Sequence, residues 1–369
     1  MITVRSKSVN DAASGADALR RITRPMSIVE GYSEKFLEQP VARVGGGTLI
    51  KLNECVVPYL PLKAEEIAEW FSFFVDWSGE KAEFKFKGLF EHSRTLFENI
   101  EFGDRNGNAY KYLTIKGPGM PEESSGGRLY KMPVHFKQGK KEQDVFGLER
   151  DIDALCDWEC SNLFLRNGIR TAVPVALIGL KSILTRDGER KTIGQAIEEG
   201  DLPATREYNK KQVEFVPYLY LRGFSEIMRV VDARHYGYEI FAQECGLKLH
   251  EYAYLWTEEV ARNVALMHNL GKAHGYLSGH NLTLDGCIVD LTIVRNGSIR
   301  EIKKDLRKVL NTIVVVSDLE EVDPFVFFKS YFRNRRNVPA RERSMLKEWL
   351  VSESVGRMKA EELVNLSRR

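Results

Sequence analysis

Two oxygen-bearing side chains nine residues apart, Asn281 and Asp290, stand in a segment whose composition suits metal-assisted chemistry on a phosphate ester. The segment reads His274-Gly-Tyr-Leu-Ser-Gly-His-Asn281, and Asp290 follows in Cys-Ile-Val-Asp-Leu. An amide oxygen and a carboxylate are ligands of the hard type that Mg²⁺ prefers, and the residues between them suit a short hairpin that would bring both to one ion. Phosphoryl-transfer loops of this kind place an Asp two residues after the His, to orient the attacking hydroxyl, and an Asn five residues further on for the metal. Tyr276 occupies the first of these places and Asn281 the second. The segment therefore keeps the means to hold a metal-bound nucleotide and lacks the group expected for ordinary phosphoryl transfer.

Elements that must position this segment can be read on both sides of it. Between about 250 and 271, Ala253, Trp256, Val260, Val264, Met267 and Leu270 recur three or four apart, as one buried helix face requires, and the loop follows directly. Earlier, 106–116 reads as a turn and a strand, Arg150 to Asn167 as a helix closed by Gly168 with Ile152, Leu155, Cys156, Leu163 and Phe164 on one side, and 171–180 and 212–221 as strands. Ala64 to Trp77 carries apolar residues at helical spacing, and Gly45-Gly46-Gly47 reads as a plain turn, because no Walker lysine follows it. From 302 to 369 the pattern is mostly helical, and Arg333-Asn-Arg-Arg336 reads as a solvated helix end. Strands with one helix first and helices afterwards is the order of a two-lobed kinase-like fold.

Composition narrows the function. The 369 residues suffice for two lobes, and 43% hydrophobic with 29% charged residues are ordinary globular values. A net charge of +2, from 54 basic against 52 acidic side chains, makes no electrostatic case for nucleic acid or for an acidic membrane surface. Five scattered cysteines form neither a disulfide framework nor a paired metal pattern, which suits a reducing compartment. No window approaches the ~20 apolar residues of a membrane span, and the first residues lack a signal-peptide core. The expectation is a soluble, cytoplasmic protein with no nucleic-acid or membrane partner.

Four stretches taken together resemble the selenoprotein O family, the YdiU-type protein adenylyltransferases. They are Tyr-Leu-Thr-Ile-Lys116-Gly-Pro-Gly; Gly147-Leu-Glu-Arg-Asp-Ile-Asp with Gly168-Ile-Arg-Thr-Ala-Val-Pro-Val-Ala-Leu; Leu221-Arg222-Gly-Phe-Ser-Glu-Ile-Met-Arg229; and His274-Gly through Asn281 to Asp290. The similarity spans about residues 100 to 290. It implies a divergent member with an α+β, two-lobed protein-kinase-like fold, carrying an N-terminal extension (1–100), a kinase-like N-lobe (101–220) and a shortened helical C-lobe (221–369). It further implies ATP bound in a reversed orientation, with Mg²⁺, and AMP transferred to hydroxyl side chains of a protein or peptide.

On that resemblance Lys116 would meet the phosphates, Arg222 and Arg229 the inner phosphate groups, and Asn281 and Asp290 the metal, with Asp290 also catalytic. These types suit the tasks, since Lys is a flexible point charge and Arg a planar fork for two phosphate oxygens. A carboxylate on or near the helix should pair with Lys116, and Asp153 and Glu149 are the candidates. His280 stands where the family has a catalytic Asp; a neutral imidazole can accept a hydroxyl proton near pH 7, or the replacement marks a member without turnover. Two other readings fit the same loop: a small-molecule or peptide kinase of the aminoglycoside or choline kinase type, and a pseudokinase that binds nucleotide without turning it over.

Overall fold

A computed structural model describes residues 36–352 apart from 61, 91, 93, 138–143, 209–210, 234–237, 318–323 and 337. Its first half is one antiparallel sheet. The strands are β1 (Phe36–Arg43), β2 (Thr48–Leu52), β3 (Phe73–Val75), β4 (Phe84–Leu89), β5 (Thr95–Gly103), β6 (Ala109–Lys116), β7 (Glu149–Arg150), β8 (Val173–Gly179) and β9 (Pro217–Phe224). They lie in the order β2-β8-β9-β6-β5-β4-β1-β3, with β7 joining β9 at its end. The boundary expected near residue 100 falls inside β5, and strands from 36 onward pair in the same sheet as β6.

Register places the cationic side chains. Lys116 pairs with Tyr220 and Thr114 with Arg222 across β6 and β9, and alternation along a strand puts Lys116, Thr114, Tyr220 and Arg222 on one face. The opposite face carries Leu113, Ile115, Leu219 and Leu221, which join Val175, Ala176 and Ile178 in an apolar core. Lys116 is only 4% exposed and Arg222 only 2%. Buried cations need compensating anions, so this face has to be covered by groups that supply them.

Helix α2 (Asp151–Arg166) covers it, after a short helix α1 (Ser125–Tyr130) in the excursion that leads there. The buried face of α2 differs from the expected one. Ala154, Asp157, Trp158, Ser161 and Phe164 are buried, while Ile152, Leu155, Cys156 and Leu163 are only half-buried. Asp157 decides the orientation: it accepts from Tyr220 Oη (3.2 Å) and Ser161 Oγ (3.1 Å) and lies 4.0 Å from Arg222 Nη1. An apolar-periodicity reading cannot anticipate a face chosen by a carboxylate.

The second half is helical: α3 (Leu249–Asn269), α4 (Ile299–Ser317), α5 (Pro324–Asn334) and α6 (Ala340–Ser352). Ala253, Trp256, Val260, Val264 and Met267 of α3 are buried as the spacing predicts, against Leu306, Val309, Phe327, Phe328 and Tyr331 of α4 and α5. Three expectations need correction. The segment from Ala64 is helical only to Phe71 and then turns into β3, because Phe73, Phe74 and Val75 are wholly buried in the sheet. The strand expected over 212–221 is two strands, Lys211–Glu214 and β9, broken before Pro217. Arg335 is not solvated: its Nη2 donates to both oxygens of Glu342, at 2.9 Å each, and its Nη1 to Asn269 Oδ1 at 2.9 Å. A strand-rich lobe bearing a lysine, one covering helix and a helical lobe bearing the 274–290 loop make a two-lobed, kinase-like α+β fold. Among the described residues no helix is long and apolar enough to cross a membrane.

Candidate active site

Lys116, at the end of β6, is held from both lobes. Its Nζ lies 3.1 Å from Glu149 Oε1 and 3.2 Å from Asp290 Oδ1, and the other Glu149 oxygen lies 3.3 Å from Arg94 Nη1. Gly117 permits this arrangement. It sits at φ +101°, and a Cβ there would come within 2.4 Å of the Tyr218 carbonyl and 2.9 Å of the Glu149 backbone nitrogen. Any larger residue would push β7, and Glu149 with it, off the lysine. Of the two carboxylates expected beside Lys116, Glu149 is therefore the one in contact, while Asp153 is turned to Arg150 Nε on the wall of the cleft.

The loop after α3 is a hairpin. Leu282 and Ile288 bridge antiparallel, Thr283 N–H donates to Cys287 O at 3.1 Å, and Val289 N–H donates to Asn281 O at 3.1 Å. Asn281 and Asp290, on either side of this hairpin, both line the cleft. Asp290 adopts a left-handed conformation (φ +60°, ψ +59°) that non-glycine residues rarely hold and Asp tolerates better than most. Lys116, with Arg94 and Arg229, holds its carboxyl far below the ordinary range against the effect of burial, so it stays ionised near neutrality. Asn281 fixes its amide by donating to Tyr276 O at 2.8 Å, which turns Oδ1 to the side where Arg229 Nη1 stands, 3.5 Å away. One carboxylate and one amide oxygen are the number and type of protein ligand that Mg²⁺ uses when phosphates and waters complete its octahedron. Among the described residues no group of three or more His, Cys, Asp or Glu side chains is placed to hold a metal.

Not every donor of the buried cations is engaged. Arg222 lies between the Tyr220 and Phe224 rings, each centroid 5.3 Å from Cζ, and its Nε is buried without a partner in the structure described. Arg229 donates through Nη1 to the His280 carbonyl, and burial, together with nearby Arg222, lowers its guanidinium to about 10 even though Asp290 and Asp232 pull the other way. It remains charged at neutral pH, in surroundings that favour an incoming anion. Arg94, Lys116, Arg222 and Arg229 line one cleft of about 670 Å³, a volume in the range of small-ligand sites. Its other wall is apolar: Leu129, Tyr130, Val145 and Phe146, with Tyr130 and Phe146 centroids 4.7 Å apart and His135 stacked on Tyr130 at 4.3 Å. Leu129, 70% exposed, stands at the rim and Arg222, 2% exposed, at the interior, while Tyr130, Phe146 and Arg229 are half-buried.

The remaining loop residues take structural or peripheral places. His274 donates through its backbone to Asp305 and bonds Val289 O from Nε2 at 2.9 Å, acting as a strut of the loop. Tyr276 is 43% exposed with its ring against Lys308 Nζ at 4.8 Å, and His280 is an exposed residue of the cleft rim. Sequence reasoning missed His92, Arg94, Asp157, Asp232 and Asp305. Only Asp157 left a signal, as a carboxylate in helical register with Ala154, Ser161 and Phe164.

No protein-family model and no curated protein sequence matches the chain. Solved structures to which it is similar include WaaP in complex with acyl carrier protein, at 17% identity over 64% of this chain and 91% of that one, with a TM-score of 0.34. The ROP18 kinase domain in complex with AMP-PNP and sucrose is similar at 14% identity over 96% and 95%, with a TM-score of 0.36. ROP2 from Toxoplasma gondii, described as a virulence factor with a protein-kinase fold and no enzymatic activity, is similar at 11% identity over 78% and 83%, with a TM-score of 0.34.

Proposed function

We propose that the cleft binds ATP with its phosphates inward and transfers AMP to a hydroxyl of a protein or peptide, as the resemblance to the selenoprotein O family implies. The observation that carries this reading is Arg222, a guanidinium 2% exposed whose Nε lacks a partner, in the interior of a cleft also lined by Tyr130 and Phe146. A buried cation with spare donors stabilises an anion there and repels nothing but another cation. The purine then meets Tyr130 and Phe146 on the apolar wall, where ring faces offer stacking area.

In this arrangement the α-phosphorus lies between the two ends, beside Asn281 and Asp290. Arg222, Arg229 and Lys116 bind the β- and γ-phosphates, orient them and offset the charge that the departing pyrophosphate gains. The Asn281 and Asp290 oxygens would hold Mg²⁺, which would supply neutralisation of charge on the transferring group. Glu149, 3.1 Å from its Nζ, keeps Lys116 aimed. Tyr276, turned to Lys308, brings no carboxylate to the place from which a kinase base acts, which weighs against phosphoryl transfer of the ordinary type.

A crystal structure with Mg²⁺ and a non-hydrolysable ATP analogue tests the orientation. The expected result is the γ-phosphate within hydrogen-bond reach of Arg222 or Arg229 and the base against Tyr130 and Phe146. A base in the interior, with the γ-phosphate at the mouth, overturns the reading.

A further inference from the structure

Any hydroxyl that attacks a phosphate in this cleft must give up a proton, and the carboxylates on the wall are already engaged. Asp290 is clamped by Lys116, Glu149 lies between Lys116 and Arg94, and Asp153 is taken by Arg150. His92 is differently placed. It sits in the turn between β4 and β5, lines the cleft, and reaches across to the helical lobe, where its Nε2 lies 3.0 Å from Asp232 Oδ2. The Asp232 side chain is 5% exposed and fixed in turn by the Arg229 backbone N–H at 3.2 Å.

The tautomer is assigned from chemistry. An ionised carboxylate only accepts, so Nε2 carries the ring proton and Nδ1 keeps the lone pair. Burial would raise the Asp232 carboxyl, but His92 and Arg229 together bring it below its ordinary value, so it is ionised. The groups that face His92 are Asp232, Arg229 and His280. Burial first, then Arg229 and to a lesser degree His280, lower its imidazole against the pull of Asp232, so the ring is neutral at pH 7.

We infer that His92, oriented by Asp232, is the base that accepts the proton of the acceptor hydroxyl; the inference rests on the cleft being a group-transfer site. The acceptor O–H bond breaks and its oxygen forms the new bond to the α-phosphorus. The bond from that phosphorus to the bridging oxygen breaks, and its electron pair leaves with pyrophosphate. The proton passes to His92 Nδ1, and Asp232 stabilises the imidazolium until it releases the proton to solvent. His92 is thus the catalytic residue and Asp232 a positioning residue.

The test uses the full chain with ATP, Mg²⁺ and a mixture of synthetic Ser-, Thr- and Tyr-containing peptides. His92→Gln is expected to lower turnover by about 10²-fold, the lower end of general-base effects, with the affinity for an ATP analogue unchanged. Because the His92 imidazole is held below its ordinary value by burial and Arg229, the wild-type rate is expected to fall only on the acid side of the ordinary imidazole range, and this acid limb is expected to vanish in His92→Gln. Added imidazole is expected to restore part of the rate to His92→Ala. Asp232→Asn keeps the contact but presents an amide N–H to Nε2, which moves the ring proton to Nδ1, and a loss of about 10²-fold is expected there too. A His92→Gln variant that retains the wild-type rate and acid limb overturns the assignment. Product identity decides the underlying reading separately: ADP in place of pyrophosphate would remove adenylyl transfer and leave the His92 result standing, since either reaction takes its proton from the same hydroxyl.

Discussion

Asp290→Asn is expected to lower AMP transfer by on the order of 10³-fold while leaving the protein folded. Two roles disappear together. The carboxylate is the only charged ligand in the proposed metal pair, and it is the partner of Lys116 from the loop side, at 3.2 Å. Asn is the informative substitution because position 290 has φ +60°, which Asn tolerates, whereas Ala there adds about 1 kcal/mol of backbone strain unrelated to the metal. The variant should also dissociate binding from turnover. Removing one negative charge leaves Arg94, Lys116, Arg222 and Arg229 facing fewer anions, so affinity for ATP in EDTA should hold or rise while its Mg²⁺ dependence is lost. Isothermal titration with and without Mg²⁺, beside the transfer rate, measures both. Turnover above about a tenth of wild type would remove Asp290 from the chemistry, since groups that stabilise developing charge cost at least ~10²-fold when lost.

Asp305→Ala is expected to destabilise the helical lobe by about 3–5 kcal/mol, a large share of a typical domain's stability. The side chain is wholly buried in α4 and accepts the backbone N–H groups of His274 and Gly275, each at 2.7 Å, with His268 Nε2 3.5 Å away. Alanine orphans two buried donors just before the Asn281–Asp290 hairpin and leaves a cavity beside His268. His268 is itself pushed below its ordinary value by burial, against Asp305, and without that carboxylate it stays neutral, so protonation offers no rescue near pH 7. Asp305→Asn keeps one acceptor and should fall between the two. Urea denaturation at pH 7 measures the change, and a shift under about 1 kcal/mol would show that the loop does not depend on this clamp.

The sequence made much of this legible where one chemical rule decided the outcome. The hairpin from Asn281 to Asp290 followed from spacing and turn chemistry, and α3 from the interval between Ala253 and Met267, because apolar burial alone selects that face. Lys116 could be placed at a strand end, yet its partner could not be chosen, since Glu149 reaches it through a two-residue strand that only Gly117 allows so close. The face of α2 was misjudged for a related reason. Asp157 serves a buried polar network linking β9 to Leu291 N–H, and hydrophobic spacing is blind to such a network. His92 and Asp232 lie 140 residues apart and meet only through the tertiary fold, so no local pattern announces them.

The central claim is that this cleft moves an adenylyl group, and intact-mass spectrometry of the acceptor after incubation with ATP and Mg²⁺ tests it most directly. The expected result is an adduct with the mass of AMP and released pyrophosphate, both absent in Asp290→Asn. A phosphate adduct with ADP as co-product would contradict it.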